Sequence, residues 1–242
     1  MAGLVALAAL AWLHIAHTAA GMSAHTGMSM PTAPAWDAEE TASLALMWIV
    51  MMIAMMIPSV APVILLFAGL SRRRRIQGVL ATPVSVFLLG YLIAWTGYAI
   101  LAAITQSALH SAALLSPAME SASPLLGGAI LILAGVYQWL PLKGACLSHC
   151  RSPLGFFSTE WREGVSGALQ MGLRHGSYCV GCCWALMALL FVAGVMNLLW
   201  VTLLAVFVLA EKVVPNGRLL GRITGAALAG YGLWVLGLDF RS

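Results

Sequence analysis

Five cysteines and two histidines stand in two tight groups, Cys146-x-x-His149-Cys150 and His175-x-x-x-Cys179-x-x-Cys182-Cys183. Residues three and four apart share one face of a helix, so each group offers soft donors along one side. Reduced thiols with imidazoles select Cu(I), Zn(II) or an iron centre. Zinc takes four ligands in a tetrahedron, whereas Cu(I) accepts two or three thiolates. These seven side chains exceed either need, which leaves room for two metal ions or a relay. A cysteine taken singly packs well as a small buried residue, and an isolated histidine more often serves structure. The joint spacing is what points to a metal. Cys179-Val-Gly-Cys182 is also formally C-x-x-C, the pattern of a thiol–disulfide exchange pair.

A second set of soft donors is built from thioethers. Met47, Met51 and Met55 form one stripe at helical spacing and Met52 and Met56 a second beside it, with Trp48 above and Pro58 beyond. Thioethers suit Cu(I), so the stripes read as a metal pathway; methionine also fills irregular gaps in a core. His14 and His17, an i, i+3 pair, precede a segment in which Met22, His25, Met28 and Met30 interleave with small residues. That segment reads either as a copper-capturing arm for an oxidising compartment or as a plain linker.

The elements that must hold these donors follow from composition. Of the 242 residues, 62% are hydrophobic and 8% charged, against about a quarter charged in an ordinary soluble domain. Such a chain suits a lipid-facing surface, and about twenty apolar residues cross a bilayer core of roughly 30 Å. The expectation is an all-α polytopic bundle of about seven transmembrane spans, near residues 2–20, 44–70, 80–105, 125–140, 177–196, 198–214 and 223–238. The first could instead be a cleaved signal-like segment, leaving six. The expected organisation is an N-terminal helix over 1–20, an extracytoplasmic His/Met linker over 21–43 and a six-helix metal-binding-like domain over 44–242.

Lys and Arg near helix ends favour the cytoplasm. The run Arg72–Arg75, then Lys143, Arg151, Arg162 and Arg174, then Lys212, Arg218 and Arg222 fall in alternate connections, with Asp37, Glu39, Glu40 and Glu120 on the other side. The net charge of +4 therefore reports topology, and the arginine run lacks the aromatic setting of a nucleic-acid reader. Both cysteine groups come out on the cytoplasmic side, in a bacterial inner membrane by this reading. Thiols there stay reduced, and an odd number of them cannot all pair. Gly172-Leu-Arg-His-Gly176 is a G-x-x-x-G pattern, expected to allow a close helix crossing that joins the two groups. Arg174 is expected to pair with Glu160, Glu163 or Glu211, and Glu211 with Lys212 to form a neutralised interfacial pair.

Three motifs carry a resemblance. Met47-Trp48-x-x-Met51-Met52-x-Ala-Met55-Met56-x-Pro58, Tyr137-Gln-Trp-x-Pro141-Leu-Lys143-x-x-Cys146-Leu-x-x-Cys150-Arg151-x-Pro153 and Gly176-x-x-Cys179-x-Gly181-Cys182-Cys183-Trp184-x-Leu-Met187 together resemble a bacterial family of predicted metal-binding integral membrane proteins, a domain of unknown function. The resemblance covers roughly residues 44–238 and implies the same helical bundle with a metal site at the cysteines. Three functions fit: a membrane protein binding a soft transition metal (copper favoured over zinc) for transport, delivery or metalloenzyme assembly, with a metal donor or acceptor protein as partner; a membrane thiol–disulfide oxidoreductase; and a non-catalytic scaffold subunit. A non-enzymatic role is favoured. No phosphate-binding glycine loop, serine elbow or paired catalytic carboxylates stand in the chain.

Overall fold

Helices α1 (Ala2–Ala24) and α2 (Ala38–Ile76) begin a computed structural model that describes residues 2–24, 38–78, 82–115, 121, 123–195 and 197–239. They are followed by α3 (Val84–Ser111), α4 (Pro124–Tyr137), α5 (Pro141–Arg151), α6 (Pro153–Glu160), α7 (Gly164–Met187), the short α8 (Leu190–Ala193), α9 (Leu198–Val213) and α10 (Gly217–Asp239). Local chemistry explains the starts. Proline opens α4, α5 and α6, where its missing N–H costs nothing and its fixed φ already suits a helix. The Ser123 hydroxyl accepts the Leu126 N–H and the Asn197 side chain accepts the Leu199 N–H, so both helices begin with a satisfied donor. In α2, Glu39 and Glu40 sit in the first turn and Arg73, Arg74 and Arg75 in the last, each sign at the dipole end that favours it.

The expectation of an all-α chain holds for every regular element among the described residues, but seven spans do not emerge. Among the described residues, four helical stretches are long and apolar enough to cross a membrane: Glu39–Ile76, Val84–Ser111, Gly164–Ala193 and Gly217–Leu238. A fifth arises if α4 and α5, bent by 64° across their break, count as one. Among the described residues, Val5–Thr18 of α1 is a shorter apolar helix. Helix α9 has 16 residues, about 24 Å at 1.5 Å per residue, short of a roughly 30 Å hydrocarbon core. By length and composition among the described residues, seven spans are thus not confirmed. Helix also enters both ends of the 21–43 linker stretch, at Ala24 and Ala38.

Close backbone approach organises the packing. A Cβ on Gly172 would stand 2.0 Å from the Phe87 carbonyl oxygen, and one on Gly90 would stand 2.3 Å from that of Leu169. Helices α3 and α7 therefore touch backbone to backbone, as small residues permit. Helices α4 and α10 do the same through Gly135 and Gly225, where a Cβ on Gly135 would meet the Gly225 carbonyl at 2.6 Å. The G-x-x-x-G pattern thus serves α3. Gly176 faces Tyr91 and Ala94 of that helix, and the crossing between the cysteine helices is made elsewhere. Trp48, Phe67, Phe87, Tyr91 and Trp95 fill the space between α2, α3 and α7 and are essentially fully buried. Helix α1 lies on α2, where the Trp12 indole donates to the Ala54 carbonyl at 3.0 Å. Leu101, Leu133, Leu199 and Leu233 project outward, as expected of helices whose apolar surface continues beyond the core.

Candidate metal centre

Helix α5 is short and bent by 64° from α4, and it brings Cys146 and Cys150 against α7. Gly181 makes room: a Cβ there would lie 2.8 Å from the Cys146 sulfur. One residue further on, the Cys182 and Cys150 sulfurs are 4.0 Å apart. Cys150, Cys179, Cys182 and Cys183 are all buried and Cys146 is half-buried, every one of them a free thiol. The sulfurs of Cys182 and Cys183 each donate back to the Cys179 carbonyl, at 3.1 and 2.9 Å. The α5–α7 interface therefore brings Cys146 and Cys150 to Cys182, with Cys179 and Cys183 beside it on α7.

Cys179 has company that spacing did not reveal. Its sulfur receives the Lys212 ammonium at 3.0 Å and lies 3.2 Å from the Tyr91 hydroxyl. Lys212 also donates to the Ser59 hydroxyl at 2.9 Å, and that oxygen is 3.9 Å from the Met56 sulfur. A continuous polar string thus runs from the methionine face of α2 through α9 to the thiols. The ammonium occupies a lone pair that a metal would use and sets positive charge where a cation would arrive. Cys179 is consequently the most encumbered of the sulfurs, and the Cys150–Cys182 pair carries no such cation among the described residues.

The histidines are arranged differently. His149 stacks on Tyr178 with ring centroids 4.2 Å apart, and its Nδ1 lies 2.9 Å from the Ala145 carbonyl of its own helix. His175 is buried at 2% exposure between Phe87, Tyr91 and Phe156, with Nδ1 lacking a partner among the described residues. Among the described residues no three His, Cys, Asp or Glu side chains are grouped as a ready ligand set. The arrangement therefore does not preform a four-ligand tetrahedron for zinc. It supplies a pair of thiols.

Met51, Met52, Met55 and Met56 are all buried and Met47 half-buried, so both stripes of α2 point into the bundle. His14 and His17 lie on the exposed side of α1, away from Ala11 and Ile15, which pack on α2. His25, with Met28 and Met30, lies outside the described residues.

Charge pairing also departs from expectation. Arg174 meets Glu160 at 2.7 Å, one of the three partners foreseen, while Glu163 takes Arg74 at 3.1 Å. Glu211 does not pair with Lys212. Its carboxylate takes the Lys143 ammonium at 2.7 and 2.9 Å, both residues buried, and Gln138 Oε1 accepts from the same ammonium. Adjacent residues on a helix point about 100° apart, so Glu211 turns toward α5 and Lys212 toward α7. A charged residue inside an apolar motif, as at Lys143, is the signal that could have found the pair.

A protein-family model described as PpoB2, copper chaperone, matches residues 45–235. The chain belongs to this family. The matched stretch runs from α2 to near the end of α10 and so includes the cysteines, the buried methionines and both lysines. No curated protein and no solved structure matches the chain. Membership in the PpoB2 copper chaperone family agrees with the soft character of the donors and with the metal-binding resemblance over nearly the same residues.

Proposed function

We propose that this protein is an integral membrane copper chaperone that takes up Cu(I) between Cys150 and Cys182 and passes it to an acceptor protein. The observation that carries the reading is the buried pair of sulfurs 4.0 Å apart on two different helices. Metal–sulfur bonds of about 2.3 Å reach roughly 4.6 Å across an ion, so one ion bridges this gap with little movement. Two thiolates satisfy Cu(I), which prefers soft sulfur. Cys146 at the rim, and Cys179 and Cys183 within, are the ligands to which the ion shifts during transfer. His149 and His175 flank that route.

Copper reaches the thiols along the methionine face of α2. Met47, Met51, Met52, Met55 and Met56 are the thioether donors of that face, and His14 and His17 on the exposed side of α1, with His25, are further donors. The basic connections put the thiol end in the cytoplasm of a bacterial cell, where thiols stay reduced. The role is delivery, without covalent chemistry on a substrate. Thiol–disulfide exchange fits less well, because it needs an attacking thiolate to reach the target sulfur; Cys179 and Cys182 are buried in the middle of α7.

The test is Cu(I) affinity of the purified full-length protein, measured anaerobically by competition with a chromogenic chelator. Cys150→Ser and Cys182→Ser are each expected to weaken binding by more than the roughly hundredfold that follows loss of a hydrogen bond supporting a ligand. Folding is checked by far-ultraviolet circular dichroism. Unchanged affinity in both folded variants would refute the site.

A further inference from the structure

Two cavities lie where α10 begins beside the break between α4 and α5. A cavity of about 300 Å³ there is lined by Gln138, Trp139, Lys143, Ser148, Arg218 and Arg222, among others. A neighbouring cavity of about 640 Å³ shares Ser148, Arg218 and Arg222 and adds Arg151. Three features of these walls point to an anion.

Arg218 and Arg222 are exposed and take part in no ion pair among the described residues. They stand four apart in the first turns of α10, where like charges repel and the positive end of the helix dipole opposes cations. An anion between them offsets both costs. The carboxylate on this wall, Glu211, is already bound by Lys143 and does not cancel the arginines. Gln138 supplies the independent sign: it is 7% exposed, and its Nε2 has no hydrogen-bond partner among the described residues. Its Oε1 accepts from Lys143, so the NH2 end is the donor left over in a residue that lines the cavity. A buried donor without an acceptor is costly, and an anionic oxygen would satisfy it.

We propose that this cleft binds a phosphate group, carried by an anionic phospholipid headgroup or by a small soluble phosphate. Two guanidinium forks and an amide NH2 match the oxygens of a phosphate. Exposed Trp139, Leu140 and Leu142 beside the opening suit a lipid as its bearer. The lipid arm rests on the membrane reading above; the phosphate arm does not.

The experiment uses the full-length protein, delipidated in a neutral detergent, with native mass spectrometry for lipid binding and thermal-shift titration for inorganic phosphate. The probes are phosphatidylglycerol, phosphatidylcholine and inorganic phosphate. The variants are R218Q/R222Q and, as a control of equal charge change, R72Q/R73Q. Each arginine near an anionic headgroup contributes enough that removing two lowers affinity roughly thirtyfold. A preference for phosphatidylglycerol that is lost in R218Q/R222Q and kept in R72Q/R73Q supports the site with a lipid ligand. The same pattern with inorganic phosphate alone supports it with a soluble one. Binding absent from the wild type, retained in R218Q/R222Q or lost equally in both variants overturns it. Cu(I) affinity measured in parallel is expected to be unchanged in R218Q/R222Q, which separates this result from the fate of the copper site.

Discussion

Gly172→Ala is expected to destabilise the protein by roughly 3 kcal/mol or more, the upper end of overpacking costs. The added Cβ would lie 2.0 Å from the Phe87 carbonyl oxygen and 2.8 Å from its carbonyl carbon. Backbone cannot swing aside as a flexible side chain can, so α3 and α7 must separate along their length. Separation would loosen the stack of Phe67 on Phe87, whose ring centroids are 4.6 Å apart, and draw the Tyr91 hydroxyl away from the Cys179 sulfur. Gly97→Ala is the control, because nothing lies within 4 Å of a Cβ at that position. Alanine there gains up to about 1 kcal/mol in helix propensity, so the two changes have opposite signs. Tryptophan fluorescence during thermal unfolding in detergent measures both. If the two variants unfold within about 1 kcal/mol of each other, the close contact is not what holds α3 to α7.

Lys143→Met is expected to cost about 3–5 kcal/mol, because it strands the Glu211 carboxylate in the interior. The pair is 3% and 2% exposed, and Gly221 hems it in: a Cβ there would stand 2.4 Å from Glu211 Oε1. The same substitution takes the ammonium from Gln138 Oε1 and leaves that acceptor unsatisfied as well. Lys143→Met combined with Glu211→Leu removes both charges together and should recover most of the loss, since a buried ion pair often contributes little against an apolar replacement. A double-mutant cycle on unfolding free energies reads the coupling directly. Additive effects would mean that the two side chains do not depend on each other.

Much about the donors was readable from spacing. Cys146 and Cys150 are four apart, as are Cys179 and Cys183, so each set had to lie on one side of its helix once helix was expected there. The buried methionine stripes of α2 follow in the same way from their period. The high apolar content called for long helices, and the family's motifs fell where the copper chaperone model matches. Each of these is a local property, carried by a few consecutive residues and the geometry of one helix.

What spacing left open was decided between helices. Gly172 and Gly176 serve α3, because the complementary gap is at Gly90 and Phe87, more than eighty residues away in the chain. His149 belongs to the same helical face as a thiol group but turns to Tyr178, since a stacked ring and a carbonyl of its own helix offered partners. Glu211 and Lys212 are neighbours in the chain that diverge to α5 and α7, each toward the opposite helix that holds a suitable group. Helix lengths depended on where each break fell. The sequence by itself determined the kinds of donor and the helical faces that carry them. Only the tertiary structure decided which sulfurs meet, because the register of one helix against another is set by the shapes of both surfaces and is written in neither alone.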